Sequence, residues 1–215
     1  PPPNREARPR PRPAFSARRL AQTADRLCEI DSHFGDGDHG ITMHKIARLI
    51  RERVSGWDGC PIRVFLDELG TAAMEVKGGS AGPLYGTLIS GLGVGLAEEE
   101  NELNEDSLRR MFAGMLEEMG EITTAGVGDK TMMDALIPAA KAAQTAEGSV
   151  ERILEAAAQA AEAGARASEG FVAKYGRARS YKEQTIGTPD AGAVSAALFI
   201  RGLADGICHR QDKEV

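Results

Sequence analysis

From Phe15 onward the chain offers almost no alternation of apolar and polar residues of the kind that makes a half-buried strand. Apolar positions instead recur at three- and four-residue intervals among abundant Ala, Leu, Glu, Arg and Met, and aromatics make up only 5% of the residues. An all-α fold follows. The periodicity predicts eight helices, near 15–30, 40–55, 62–77, 83–99, 105–122, 131–146, 149–174 and 191–206. Asp106 and Ser107 are expected to cap the fifth of these and Ser149 the seventh, with Gly148 stopping the helix before it. In the stretch from Pro83 to Glu100, Gly86, Ser90, Gly93 and Ala97, with Gly82 just ahead, leave one helix face without bulky side chains, open to another backbone or to a ligand.

Residues 1–13 hold six prolines and four arginines and almost nothing apolar, so they are read as a disordered tail, or as a linker to an upstream domain, ahead of one domain over 14–210. A length of 215 residues suits one core. The net charge of −6 disfavours a nucleic-acid or anionic-membrane partner. Three cysteines without a Cys-x-x-Cys pair argue against a disulfide framework or a zinc knuckle, and point to a reducing cytoplasm. No run of apolar residues is long enough to span a bilayer.

The segment EIDSHFGDGDHGITM crowds Asp31, Asp36 and Asp38 into eight residues, with Gly35, Gly37 and Gly40 among and after them. Such crowding is costly without a cation, and hard oxygen donors on a glycine-bent turn suit Mg²⁺ shared with phosphate oxygens. An EF-hand does not fit, because the position needing a bidentate glutamate is Ala47. A solvated acidic turn capping the next helix remains the alternative. His39 beside the carboxylates is read as a binding group rather than a base.

Three glycine loops accompany the acidic one. KGGSAGPLYGT places Gly78, Gly79, Ser80, Ala81 and Gly82 ahead of a helix that starts at Pro83, where converging backbone N–H groups and the helix dipole favour an anion. It is not a Walker A loop, and GLGVGL is not a dinucleotide fingerprint. GVGDKTMMD and GTPDAGA likewise join glycine and aspartate to a following helix, although Asp129 and Asp190 also read as ordinary N-caps and Met132 and Met133 as core.

The ordered set GDGDHG, GGSAGPLYGT, GDKTMMD and GTPDAGA resembles the nucleotide-binding L subunit, or C-terminal L domain, of dihydroxyacetone kinases, over about residues 15–206. The resemblance implies an eight-helix antiparallel barrel with the nucleotide at one end, and two Mg²⁺ ions held by Asp31, Asp36 and Asp38. It implies ADP or ATP contacts from His39, Gly40, Ile41, Thr42, Gly79, Ser80, Ala81, Gly82, Gly128, Met132 (against adenine), Arg177, Asp190, Ala191 and Gly192. It also implies phosphoryl transfer without a protein nucleophile, and a keto-sugar-binding K subunit or domain as partner. Relatives draw phosphate from ATP or from a phosphotransferase-system protein, and a homodimer is compatible with the pattern. Ala81 replaces a frequent serine, Ile122–Val127 replaces a basic stretch, and Lys130 is left without a role. Two other readings stay open: a nucleotide-loaded module that signals to a transcription factor, and the nucleotide domain of a fatty-acid kinase, which typically has threonine where His39 stands.

Overall fold

Thr23 breaks what the sequence pattern reads as one first helix. Its hydroxyl donates back to the Arg19 carbonyl at 2.8 Å, competing with the helical ladder, and the chain bends there. The computed structural model describes residues 13–211, with side chains described for 14–206. Among them it contains α1 (Pro13–Gln22), α2 (Ala24–Ser32), α3 (His39–Ser55), α4 (Ile62–Met74), α5 (Ala81–Val94), α6 (Glu105–Ile122), α7 (Met133–Thr145), α8 (Val150–Ala167) and α9 (Ala191–Gln211), and no strand. Two 3-10 stretches, Ser168–Gly170 and Arg177–Thr185, lie between α8 and α9. The expected tail, apart from Pro13 at the start of α1, falls outside the described residues.

The eight expected helices are thus present, with the first divided in two. Three further expectations are corrected. The seventh helix ends at Ala167 rather than at 174, because Ser168 is claimed by tertiary bonds: its amide-facing hydroxyl accepts from Asp190 N and its carbonyl from Lys130. The cap of α6 is Asn104, which exchanges bonds with Ser107 in a capping box, while Asp106 sits in the first turn and pairs with Arg110. Ser149 occupies the N-cap of α8, but its side chain makes no capping bond.

Eight helices form a ring in which α1 packs on α3, α3 on α4, and each later helix on the next, until α9 returns to α1. The short α2 lies outside that order, against α3 and α9, and delivers the chain to the acidic loop. The interior is filled by Leu20, Met43, Ile46, Leu69, Leu88, Phe112, Leu136, Leu154 and Phe199, among others, all essentially without solvent contact. Burial of these apolar surfaces, rather than helix propensity, supplies most of the stability of such a ring. The seam between first and last helix is specific: Ser16 Oγ donates to the Phe199 carbonyl at 2.7 Å, and Arg19 pairs with Asp205.

The small-residue face of α5 serves packing. A Cβ on Gly70 of α4 would lie 2.7 Å from the Gly86 carbonyl and 2.8 Å from the Ser90 amide, so the two backbones run in direct contact. A second glycine face of α5, at Gly91 and Gly95, meets α6 at Gly114 in the same way.

Candidate functional site

Consecutive helices of the ring run antiparallel, so the N-termini of α3, α5, α7 and α9 share one end. Direct contacts bring them together. The Thr42 side chain of α3 presses on Gly78 ahead of α5, closely enough that a Cβ there would collide with it. The space beside Gly192 of α9 is bounded by Met132 at the start of α7, whose amide and Cβ would lie 3.5 and 3.6 Å from an added Cβ. His39 Nε2 of α3 lies 2.9 Å from Ser195 Oγ of α9. Four helix N-termini facing a common space give it a positive bias without any net basic charge.

The acidic loop sits at this end. Oxygens of Asp31, Asp36 and Asp38 all lie within 4.8 Å of one another. Asp31 Oδ2 also accepts from the amides of Asp38 (3.1 Å) and His39 (3.4 Å), whereas Asp38, at the N-cap of α3, makes no side-chain capping bond. The glycine between the acids is required: a Cβ on Gly35 would collide with the Asp31 carboxylate. Desolvation, and then the charges of Asp36 and Asp31, raise the pKa of Asp38 above the usual carboxylate value. At Asp36 partial desolvation is outweighed by the Arg177 guanidinium, which hydrogen-bonds the carboxylate and holds its pKa down. Three hard oxygen donors this close, one of them paired with the Arg177 guanidinium, fit a divalent ion such as Mg²⁺.

His39 is mostly enclosed, and burial lowers its pKa. It belongs to a buried chain in which Tyr85 OH donates to Ser195 Oγ at 2.8 Å and Ser195 Oγ donates to the Gly192 carbonyl at 3.0 Å. Neither Tyr85 nor Ser195 stands out in the sequence, since both look like core residues of apolar helices.

The loop 126–131 is wrapped around Asp134, whose two oxygens accept from Gly128 N (2.6 Å) and Thr131 N (2.7 Å). Asp129 faces elsewhere, accepting from Gly126 N and pairing with Lys174 at 2.6 Å. Asp190 does cap α9, its Oδ2 accepting from Ala193 N at 2.7 Å. Although residue 190 retains some surface, its carboxyl is desolvated, which pushes its pKa up to about 7.

The remaining expected residues distribute unevenly. Gly79 and Gly128, at φ 55° and 96°, have nothing within 4 Å of a notional Cβ and so border open space. Ser80 is exposed and Ala81 half-buried at the start of α5, and Ile41 is 55% exposed. Gly40, Thr42, Met132 and Ala191 are buried, and Gly192 is half-buried. A Cβ on Gly82 would lie 2.4 Å from the Val76 carbonyl, so the chain passes closely there. Arg177 belongs to a 3-10 stretch whose Tyr181 ring rests 5.2 Å from Phe34 of the acidic loop.

Fold and site together define an all-helical barrel that sets a carboxylate triad against a cluster of helix N-termini. Residues 33–205 match the DAK2 domain model, and the chain belongs to that family. It is 34% identical over 197 residues to a D-erythrulose kinase of Mycolicibacterium smegmatis, covering 88% of this chain but only 33% of that kinase. It is 30% identical over 192 residues to the ADP-binding subunit DhaL of a PEP-dependent dihydroxyacetone kinase of Listeria innocua, covering 87% of this chain and 88% of that subunit. The dihydroxyacetone kinase of C. freundii, solved in complex with AMP-PNP and Mg²⁺, superposes with a TM-score of 0.65 at 26% identity, over 90% of this chain and 33% of that one. The chain therefore spans about a third of the longer kinases and most of the free subunit.

Proposed function

We propose that this domain binds ADP or ATP with two Mg²⁺ ions and carries the nucleotide for phosphoryl transfer to a keto-sugar held by a separate K subunit or domain. The observation that carries the reading is the convergence of Asp31, Asp36 and Asp38 at the end of the barrel where four helix N-termini meet. Asp31, Asp36 and Asp38 would hold the metal, which when bound neutralises charge developing on the transferred phosphoryl oxygens. His39, Gly40, Ile41 and Thr42, with Gly79, Ser80 and Ala81, would present donors to the phosphates. Gly128, Met132, Asp190, Ala191 and Gly192 would bound the base, and Arg177 would turn from Asp36 towards phosphate. Gly82, whose missing Cβ lets the chain pass close to the Val76 carbonyl, would present its backbone N–H beside Ser80 and Ala81. The likeness to the ADP-binding subunit of Listeria innocua and to the C. freundii kinase complexed with AMP-PNP and Mg²⁺ supports the nucleotide and the metal. A reducing, cytoplasmic setting agrees with free thiols at Cys28 and Cys60, and no described helix is long and apolar enough to cross a membrane.

Calorimetry of ADP binding with and without Mg²⁺, on the native chain and on the double variant Asp36→Ala, Asp38→Ala, tests this. Binding should require Mg²⁺ in the native chain and lose that requirement, with most of its affinity, in the variant. Affinity indifferent to both would overturn the reading.

A further inference from the structure

Lys130 combines two unfavourable states. It is a non-glycine residue in the left-handed region, at φ 59°, and it is only 5% exposed. Each state costs free energy, the first through crowding of its Cβ and the second through desolvation of an ammonium. Surroundings that hold both at one residue over-determine its placement.

The bonds it makes show what the placement achieves. Lys130 Nζ donates to the carbonyls of Ser168 and Thr188, each at 2.6 Å. Burial lowers its pKa, while the charges of Asp190, Asp134 and Glu169 oppose that change. Ser168 in turn accepts from Asp190 N at 2.9 Å, and Glu169 O accepts from Gly187 N at 2.8 Å. On the other side, Gly128 and Thr131 are bound to Asp134. A single ammonium thus joins the 126–132 loop, the turn after α8 and the approach to Asp190. Those are the segments that carry Gly128 and Met132 on one wall and Asp190, Ala191 and Gly192 on the other.

We propose that Lys130 is a positioning residue, whose ammonium, tied to the Ser168 and Thr188 carbonyls, fixes the 126–132 loop against the approach to Asp190, the two segments that border the proposed nucleotide site. The inference rests on the nucleotide reading for its ligand, but the fastening itself does not need one. The left-handed backbone is part of the device, because it aims the side chain back across the loop towards residues 168 and 188. A glycine would accept the φ without strain and would leave the walls unjoined.

The test compares the native chain with Lys130→Met, which keeps the stem and the backbone constraint, Lys130→Gly, which relieves the constraint, and Lys130→Arg. Ligand-free amide exchange at Gly128, Thr131, Gly187 and Asp190 should accelerate about tenfold or more in the Met and Gly variants, as for loss of charged hydrogen bonds. Amides of α4 to α6 should keep native protection, and MgADP affinity should fall by a similar factor. Lys130→Arg should recover part of both. Native exchange at those four amides in Lys130→Met overturns the proposal. So does a uniform loss of protection through α4 to α6, which would mean general destabilisation, or loosened loops with native MgADP affinity. If the native chain itself fails to bind MgADP, the nucleotide reading fails, and with it the role of the walls, while the exchange data still decide whether Lys130 fastens them.

Discussion

Arg177 forms an ion pair with Asp36, reaching from the stretch between α8 and α9 to the carboxylate triad. Both side chains keep considerable solvent contact, so the pair adds little to folding. Its importance is competitive, because a guanidinium on Asp36 opposes any metal ion seeking the same oxygens. Arg177→Gln should therefore bind Mg²⁺ alone more tightly and MgADP about tenfold more weakly, the latter from loss of a charged contact to phosphate. Calorimetric titrations with Mg²⁺ alone and with ADP plus Mg²⁺ check the two directions, and weaker binding of the bare ion would remove the competition argument.

Gly35 leaves the Asp31 carboxylate the space it occupies. Gly35→Ala should displace that carboxylate and cut Mg²⁺-dependent ADP affinity, while the denaturant midpoint moves little because residue 35 is exposed. A variant that binds as the native chain does would show that Asp31 can move without consequence.

In the buried chain of Tyr85, Ser195 and His39, the middle residue matters most. Ser195→Ala strands both the Tyr85 hydroxyl and His39 Nε2, and should cost about 2 kcal/mol or more. Tyr85→Phe removes a single donor and should cost about 1 kcal/mol. Denaturant unfolding of both variants without ligand gives the order, and the reverse order would break the network argument.

Asp190 makes stability depend on pH in an unusual direction. Its folded pKa of about 7 lies above the ordinary 3.8, so between those values the native state holds a proton that the unfolded chain releases. Stability from this group is fully present below pH 3.8 and declines as pH rises to about 7, by on the order of 4 kcal/mol at most. Asp190→Asn keeps an oxygen for Ala193 N and removes the titration. Its stability relative to the native chain should therefore rise from pH 5 to pH 8 in chemical unfolding, and a constant difference would contradict the assignment.

The contact of Gly70 with Gly86 involves backbone on both sides, which cannot step aside. Gly70→Ala should destabilise by about 2 kcal/mol through overpacking, without altering MgADP affinity of the folded protein. Unfolding and binding measured on the same sample separate the two effects.

The class of fold was legible because helical periodicity is a local property, and α3 and α6 fall where it predicts them. Asp31, Asp36 and Asp38 were legible because a few residues bring them together. The division at Thr23, the early end of α8 and the capping by Asn104 turn on single side-chain bonds that compete with propensity. Lys130 was illegible as a tether, since its partners lie 38 and 58 residues away. Tyr85 and Ser195 were hidden for the same reason, at a separation of 110.

The bond from Ser16 to Phe199 spans 183 residues, so the seam it closes joins the parts of the domain that a ribosome delivers furthest apart in time. Until α9 has emerged and settled against α1, His39 has no Ser195 and Met132 no Gly192, and an arriving ligand finds half a cradle. On the function proposed above, nucleotide occupancy would require a finished ring, closed where α9 meets α1.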